Sequence, residues 1–244
     1  MSTRWANKTN WQKIVCPVCK SNHASPAFVK LNFPYVECKS CKTLYAETRP
    51  SEAELNWWYT NSASVNYWQE TLLKLSGGSR NEKIIEPRAH WILDGLSEYM
   101  SHLSLKNIVY TDISFFGRAL VKKIAVEAGD MTVISAGITD AKDAYSSDNI
   151  RVNKISSIDN FSNLEPTDIM VAIDVLELIS SINDFLLQME KIVKPGGLVF
   201  ATCPVSSGFE IQSLWDRSPS IIPPDKLNLP SVTGFINLFS ASSK

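Results

Sequence analysis

Residues 168–204 read "DIMVAIDVLELISSINDFLLQMEKIVKPGGLVFATCP", and this stretch decides the fold class. Its first eleven residues are mostly apolar and predict a buried strand. The next segment predicts a helix that stops at a Pro-Gly-Gly sequence, and "LVFATCP" predicts a second buried strand. Because both strands are apolar throughout and a helix separates them, the pattern predicts neighbouring strands of a parallel sheet that is covered on both faces.

The same alternation of strand and helix begins near residue 106. It predicts strands at "NIVYTDI" (107–113), "MTVISAGI" (131–138) and "IRVNKI" (150–155), and a helix at "GRALVKKIAVEAG" (117–129). We therefore expect an α/β protein with a doubly wound, mostly parallel sheet. Ligands bind such sheets at the carboxyl ends of the strands where the strand order reverses, which here places the cleft between the ends of "VYTDI" and "MVAIDVLEL".

Residues 51–105 are predicted to be mainly helical. "SEAELNWWY" (51–59) begins with a serine and has a glutamate three positions later, which is the pattern of a capping box. "PRAHWILDGLSEYMSHL" (87–103) carries apolar residues at helical spacing, and the Gly-Gly pair in the segment 74–86 predicts the hinge of a lid or linker. The predicted domains are residues 1–50, residues 51–105 as a helical linker or lid, and residues 106–244 as the α/β domain.

The first predicted domain is identified by its cysteines. Four of the five cysteines form two C-x-x-C pairs with 18 residues between them: Cys16, Cys19, Cys38 and Cys41. Each pair lets two thiolates from one tight turn point at the same ion, and two pairs complete a closed tetrahedral site, the usual arrangement of structural zinc. Residues 1–50 are therefore interpreted as a zinc ribbon. Disulfides are disfavoured in a chain without an export signal, and iron is the alternative ion for four sulfur ligands.

The fifth cysteine and the charge distribution carry weaker signals. Cys203 ends a predicted strand and is interpreted as a small packed residue rather than a nucleophile.

The chain has a formal net charge of −1, which argues against a dedicated nucleic-acid binder. Residues 1–50 nevertheless carry eight Lys/Arg and two Glu, so that this basic segment could attract a small anionic substrate; the alternative is that its lysines are simply solvated.

No stretch of the sequence predicts a membrane segment or a secretion signal. The apolar runs are far shorter than the ~18 residues that a membrane span needs, and "MSTRWANKTNW" (1–11) lacks the apolar core of a signal peptide. We therefore expect a cytoplasmic protein.

Residues 168–204 and their continuation "SSGFEIQSLWDRSPSIIPPDKLNL" (206–229) resemble the second half of class I S-adenosylmethionine-dependent methyltransferases. In that family a fourth strand ends in a "VLEH"-like turn, and a helix leads through "LKPGG" into strand five. The chain resembles in particular a bacterial subgroup associated with sugars or other small molecules, which places a CxxC…CxxC ribbon and a "RPSEAEL"-like segment before this domain. The residues that match the pattern are Asp174, Glu177, Pro195, Gly196, Gly197 and Trp215.

The resemblance implies a Rossmann-like methyltransferase fold and S-adenosylmethionine as the cofactor. It covers residues 14–60 and 165–230. The candidate cofactor-binding residues that it implies are Asp112, Ser114, Gly117, Asp174 and Glu177. It implies no particular catalytic residue, so that the catalytic residues stay unassigned.

The first departure from the family pattern lies in the turn after the first strand. There the family has an acidic residue followed by "GxGxG", and these glycines let the backbone approach the cofactor without clashes from β-carbons. The chain keeps Asp112 but has Ser114, Phe115 and Phe116 in place of small residues. The two phenylalanines could fill the pocket for the methionine part of the cofactor instead of lining it.

Three more departures concern the same expected site. The second strand of the family ends in a carboxylate that accepts the ribose hydroxyls, whereas "TVISAGITD" (132–140) has none at that place and Asp140 comes several residues late. Leu178 stands where the "VLEH" turn has its histidine. Lys226, in "PPDK", replaces a second histidine that could have served as a general base.

These features favour a methyltransferase-like protein, linked to sugar, glycan or other small-molecule biosynthesis, whose S-adenosylmethionine site is impaired or lost. The first alternative is an active methyltransferase on a small anionic substrate, because methyl transfer relies largely on positioning. The second is a zinc-ribbon enzyme that modifies RNA, suggested by the basic N-terminal segment. The subgroup normally adds an antiparallel pair of strands after strand five; a partner subunit, a second copy of the chain or a truncation of the sequence would each explain the open sheet edge that is expected here.

Overall fold

The structure is a computed structural model, and its residues fall into two compact units. The described residues are 8–102, 107–115, 117–127, 129, 131–137, 150–155, 157 and 160–242. Unit 1 comprises Met1–Leu55, Asp174–Glu190 and Thr202–Lys244; unit 2 comprises Asn56–Ile173 and Lys191–Ala201. Each unit is therefore built from segments that are distant in sequence.

Unit 1 contains two antiparallel β-structures formed by the N-terminal segment. Strands β1 (Trp11–Lys13) and β5 (Thr48–Pro50) pair with each other. Strands β2 (Ala24–Lys30), β3 (Phe33–Cys38) and β4 (Leu44–Ala46) form a sheet together with the C-terminal strand β11 (Asn228–Leu229), in the order β11-β4-β3-β2. The ribbon thus takes its fourth strand from a segment about 180 residues later in the sequence, which the sequence pattern did not predict.

Unit 2 contains a five-stranded sheet. Its strands are β6 (Val109–Asp112), β7 (Thr132–Gly137), β8 (Ile150–Lys154), β9 (Thr167–Ile173) and β10 (Val193–Thr202), in the order β10-β9-β6-β7-β8. The pairs β6–β7, β6–β9 and β7–β8 are parallel. Counted from β6, this is the doubly wound order 3-2-1-4-5, and the order reverses between β6 and β9. The predicted α/β fold class and the predicted reversal point are both confirmed.

Helices make up most of the remaining regular structure of the described residues. They are α1 (Glu52–Asn61), α2 (Ala63–Tyr67), α3 (Leu73–Leu75), α4 (Gly77–Arg80), α5 (Glu86–His102), α6 (Arg118–Glu127), α7 (Ile182–Ile192), α8 (Phe209–Leu214) and α9 (Val232–Ser242). In unit 2, α5 and α6 pack on the sheet through one buried apolar cluster that includes Ile92, Leu120 and Ile124 with Val133 and Ile169 of the strands. This cluster is the core that fixes the turn between β6 and α6.

One local prediction is wrong, and another is confirmed with a difference in the bounds of the following strand. The Gly-Gly pair was predicted as a hinge, but Gly77 and Gly78 begin α4 inside a nearly continuous helical run that includes π-helical turns at Trp68–Leu72 and Asn81–Ile85. The Pro-Gly-Gly sequence does end helix α7 at Ile192, yet it also forms the start of β10 rather than a separate loop.

The last described residues form helix α9, Val232–Ser242. None of the described helices carries an apolar stretch long enough to cross a membrane. The three-domain division stays a prediction, while the observed contacts join the ribbon to the C-terminal segment. Phe116 and Asp140 lie outside the described residues.

Candidate functional site

The four predicted metal ligands lie together in unit 1. The sulfur atoms of Cys16, Cys19, Cys38 and Cys41 all lie within 4.8 Å of one another. The Sγ atoms of Cys16 and Cys41 are 3.5 Å apart, and so are those of Cys19 and Cys38. Since Zn–S bonds of about 2.3 Å in a tetrahedron place sulfurs about 3.8 Å apart, this spacing fits a zinc ion.

The backbone gives the two cysteine turns the same conformation. The Lys20 N–H donates to Cys16 O and the Lys42 N–H donates to Cys38 O, both at 3.0 Å. Lys20 and Lys42 also share a left-handed conformation, with φ of 59° and 60°. Two matching turns direct four sulfurs at one point, so that the donor set has no open position for a substrate.

Individual thiols differ in their surroundings. Burial by itself would raise the pKa of Cys38, but hydrogen bonds from the backbone N–H groups of Cys41 and Ser40, together with those of the Cys19 and Cys16 thiols, lower that pKa to about 7. Cys203 lies outside the cluster, and its thiol donates to Pro204 O at 3.4 Å. Burial, and then the carboxylate of Glu177, raise the pKa of Cys203 well above its usual value. A thiol of this kind is a poor nucleophile at neutral pH, in line with the sequence interpretation.

In unit 2, Asp112 ends β6 and faces inward. It is 1% exposed, and its Oδ1 accepts a hydrogen bond of 2.7 Å from the Ser114 N–H. The Tyr110 hydroxyl donates to Oδ2 at 3.5 Å. Burial raises the pKa of Asp112 to about 7, although the bonds from Ser114 and Tyr110 oppose this change. Asp112 is thus a buried carboxyl whose hydrogen-bond partners belong to its own strand and turn.

Ser114 and Gly117 close the same turn. The Ser114 Oγ accepts a hydrogen bond of 2.9 Å from the Ile173 N–H, which joins the turn to the carboxyl end of β9. The Gly117 N–H donates to Ser114 O at 3.2 Å. A β-carbon placed at Gly117 would lie 2.7 Å from Asp112 Oδ1 and 2.9 Å from Ser114 Cβ. The turn therefore has little room near its glycine, and its polar groups bond to one another and to β9.

A cavity of about 250 Å³ lies beside this turn, within unit 2. It is lined by Gln69, Glu70, Leu73, Lys74, Gly77, Arg80, Asn81, Ile85, Phe115, Arg118 and Ala119. The Phe115 ring meets the Tyr59 ring edge-on, with centroids 5.1 Å apart and an angle of 64° between the planes. Sequence reasoning missed this cavity, because its lining comes from the helical run between residues 69 and 85, from Phe115 and from the start of α6, which no short motif connects.

The other two cofactor candidates follow β9 and belong to unit 1. Asp174 has a left-handed φ of 53°, and its Oδ1 accepts a hydrogen bond of 2.8 Å from the Thr202 hydroxyl. Glu177 is 0% exposed, and its Oε1 pairs with Lys226 Nζ at 2.8 Å. Its Oε2 is buried without a hydrogen-bond partner among the described residues. Burial raises the pKa of Glu177, and the Lys226 charge opposes the increase.

The structure thus groups the sequence candidates by unit. Asp112, Ser114 and Gly117 lie in one turn of unit 2, whereas Asp174 and Glu177 lie in one turn of unit 1. Lys226, which the sequence analysis treated only as a replaced histidine, is the ion-pair partner of Glu177. The two residues are 49 positions apart in sequence, so that no local pattern could have indicated the pair.

Comparisons with known proteins give a fold but no close relative. No model of a known protein family matches the chain, and no curated protein matches its sequence. Among solved structures, the plantazolicin methyltransferase BpumL in complex with SAH is similar, with a TM-score of 0.56, 15% identity, and coverage of 78% of this chain and 73% of that one. The same enzyme in complex with a monoazolic desmethylPZN analog and SAH gives a TM-score of 0.55 at the same identity and coverage. At this identity, the likeness shows that the chain has the fold of these methyltransferases.

Proposed function

We propose that this chain is a methyltransferase-like protein whose S-adenosylmethionine site is impaired or lost, and that it serves sugar, glycan or other small-molecule biosynthesis. Two findings support the general class: the fold is that of solved methyltransferases, one of them in complex with SAH, and the carboxyl ends of β6 and β9 adjoin at the reversal of the strand order. The sequence resemblance supports the same class through residues 165–230.

The closed turn after β6 carries the proposal that the cofactor site is impaired. A working site of this kind needs backbone groups that a ligand can approach, and small residues provide that access. Here the Ser114 hydroxyl already accepts from the Ile173 N–H, and the Asp112 carboxyl is buried and bonded to its own turn. Phe115 adds a ring beside Tyr59 instead of open space. A cofactor would have to break these contacts before it could bind.

The ribbon has a structural role in this proposal. Its four sulfurs have the spacing of a zinc site, and a bound zinc ion would supply folding energy rather than chemistry because all four positions are taken by protein. The thiolates of the two matching turns would hold the ion, and Lys20 and Lys42 adjoin them in sequence. The proposal also includes two predictions from the sequence: a cytoplasmic location and a partner that covers the edge of the sheet.

Calorimetric titration with S-adenosylmethionine and with SAH tests the proposal. We expect no detectable heat of binding even at millimolar ligand. The plantazolicin methyltransferase, titrated under identical conditions, is the positive control, because its structure was solved in complex with SAH. Micromolar binding of either ligand to this chain would contradict the proposal. Retained zinc content and a cooperative unfolding transition show that the sample is folded.

A second candidate function is an active methyltransferase on a small anionic substrate. The observation that favours it is the cavity beside Phe115, whose lining contains Lys74, Arg80 and Arg118 against one acidic residue, Glu70. Its volume of about 250 Å³ lies just below the ~300–1,000 Å³ of typical ligand sites, so that it suits a small ligand. Micromolar cofactor binding together with methyl transfer to a phosphorylated small molecule would establish this alternative.

A further inference from the structure

The ribbon of unit 1 is joined to the turn after β9 through the C-terminal strand. The residues of β11 pair with β4, with Asn228 opposite Tyr45 and Leu229 opposite Leu44. The Ala46 N–H also donates to Leu227 O at 2.9 Å. Residues 227–229 thus act as a fourth strand of the ribbon, and their position depends on that of β4.

Arg49 fixes the first half of this connection. It is 1% exposed, and its guanidinium donates to Ala46 O at 2.9 Å, to Asn228 Oδ1 at 2.8 Å and to Leu227 O at 3.1 Å. A buried guanidinium is costly unless its donors are satisfied, and these three hydrogen bonds contribute to that. The end of the ribbon and residues 227–228 are therefore held as one piece.

Asn228 forms the second half. Its side chain is 0% exposed, and its Nδ2 donates to Leu176 O at 2.8 Å and to Ile179 O at 2.9 Å. The Leu227 N–H donates to Glu177 O at 2.7 Å. Two neighbouring residues thus bind three carbonyl groups of the turn that contains Glu177. The turn begins at Asp174 in a left-handed conformation, which for a residue other than glycine requires support from its surroundings.

The cysteine turns are bonded to the same region. The Ser231 hydroxyl donates to Cys41 O at 2.7 Å, and the Ser206 hydroxyl donates to Lys42 O at 3.0 Å. The Tyr35 hydroxyl, on the strand that ends at Cys38, donates to Lys226 O at 2.6 Å. The backbone of Lys226, whose side chain pairs with Glu177, is therefore held by a strand of the metal ribbon.

We propose that the metal ion of the ribbon sets the conformation of the 174–179 turn, and that Arg49 and Asn228 are the positioning residues that transmit it. Loss of the ion loosens β3 and β4. Arg49 then no longer fixes residues 227–228, and their hydrogen bonds to the carbonyl groups of residues 176, 177 and 179 weaken. The proposal goes beyond the proposed function, and it is tested without S-adenosylmethionine or any turnover, so that the two can fail separately.

The first test removes the metal. Hydrogen exchange is followed by mass spectrometry in peptides covering residues 174–182 and 226–231, in zinc-loaded and chelator-treated protein, with α6 of unit 2 as the internal reference. We expect Leu178, Leu227 and Asn228 to exchange roughly tenfold faster without zinc, and one equivalent of zinc to restore slow exchange. Faster exchange in β3 and β4 alone, with both peptides unchanged, would overturn the proposal, and so would exchange that does not respond to added zinc.

The second test leaves the metal in place. Asn228→Asp keeps an oxygen for Arg49 but replaces the amide group that donates to Leu176 O and Ile179 O. We expect full zinc content and roughly tenfold faster exchange at Leu178. Thr111→Val is the matched control, because it also removes a buried side-chain hydrogen bond, of 3.0 Å to Thr167, but in unit 2. The control should leave exchange at residues 174–182 unchanged.

The reactivity of the Cys203 thiol provides an independent measure of the conformation of the 174–179 turn. In zinc-loaded protein the other four cysteines are bound, and the reactivity of Cys203 depends on its burial and on Glu177 of the turn. We expect a thiol reagent to label Cys203 several-fold faster in Asn228→Asp than in the wild type or in Thr111→Val. Equal labelling rates together with equal exchange at Leu178 would overturn the proposal, because a loosened turn must change at least one of them.

Discussion

Asp112 shows how burial changes the chemistry of a single carboxyl. Its side chain is almost fully buried, and its partners are the Ser114 N–H and the Tyr110 hydroxyl. Burial raises the pKa of Asp112 to about 7, so that the group keeps a proton through much of the acid range. A carboxyl that is partly neutral near pH 7 attracts the positive charge of a methyl-donor cofactor less strongly. The end of β6 thus carries an acidic residue that does not have its full charge near neutral pH.

The stability of the protein should therefore depend on pH through Asp112. Because the folded-state pKa of about 7 exceeds the usual value near 4, the contribution is fully present below about pH 4 and is lost as the pH rises through about 7. Asp112→Asn removes this titration. We expect the free energy of unfolding, measured with urea between pH 4 and 8, to fall less in the variant than in the wild type. At about 1.4 kcal/mol for each pKa unit, the difference should be on the order of a few kcal/mol.

The control for this experiment is Asp184→Asn, which removes one exposed carboxylate from the first turn of α7. It replaces one aspartate by asparagine, as Asp112→Asn does, without touching a buried group. Parallel curves for the wild type and Asp112→Asn across the whole pH range would show that Asp112 does not titrate with a raised pKa.

At the residue scale, the sequence could predict positions but not partners. The strand–turn–helix pattern of 107–120 placed Asp112, Ser114 and Gly117 in one turn, because local periodicity decides where a strand ends. It could not predict that the Ser114 hydroxyl bonds the Ile173 N–H, since that contact depends on which strands become neighbours. The sequence also identified the four metal ligands, because a pair of C-x-x-C motifs is specific on its own.

Elements differ in how well their glycines tolerate a side chain. Gly78 lies in helix α4 with no other group within 4 Å of a would-be β-carbon, whereas a β-carbon at Gly117 would crowd Asp112 and Ser114. We expect Gly78→Ala to raise the free energy of unfolding by about 0.5–1 kcal/mol, because alanine is the better helix former. We expect Gly117→Ala to lower it by about 1–3 kcal/mol through overpacking.

Urea unfolding of both glycine variants, measured side by side, tests the two elements together. Both substitutions add one methyl group to unit 2, so that the comparison isolates local geometry from composition. A destabilised Gly78→Ala would restore the hinge interpretation of the Gly-Gly pair. A neutral Gly117→Ala would show that the turn after β6 has room, and it would weaken the case for an impaired cofactor site.

At the element scale, the strands and helices with a strong local sequence pattern were the ones that the sequence predicted. Each of the five strands of the parallel sheet carries apolar residues, in a run or in alternation with polar ones, and helices or loops separate the strands, so that the sequence predicted all of them. Strand β11 has only two residues, and its pairing with β4 spans about 180 positions, which no local signal encodes. The prediction of a hinge at the Gly-Gly pair was wrong because glycine lowers helix propensity but still allows a helix when the neighbouring residues favour one.

At the scale of the whole molecule, the chain passes between the two units more than once. The chain leaves unit 1 after Leu55, returns at Asp174, leaves again after Glu190 and returns at Thr202. The ribbon and the C-terminal segment share one sheet as a result. The predicted boundary at residue 50 came from composition and motif order, and neither can indicate that a later segment adds a strand to an earlier module.

The metal should therefore stabilise more of the chain than the ribbon residues alone. We expect metal analysis to find about one zinc per chain, and Cys38→Ser to lose it, because a structural site with three remaining thiolates binds far more weakly. Apparent zinc-binding free energies of about 10–16 kcal/mol in small metal domains indicate that β2–β4 would unfold without the ion, and β11 would lose its pairing partner with them. Circular dichroism and thermal unfolding should show a loss of β-structure in Cys38→Ser.

Cys203→Ser is the matched control, since Cys203 lies outside the cluster, and it should keep both the zinc and the wild-type melting curve. Full zinc content in Cys38→Ser, or equal zinc loss in both variants, would show that the four cysteines do not form the metal site.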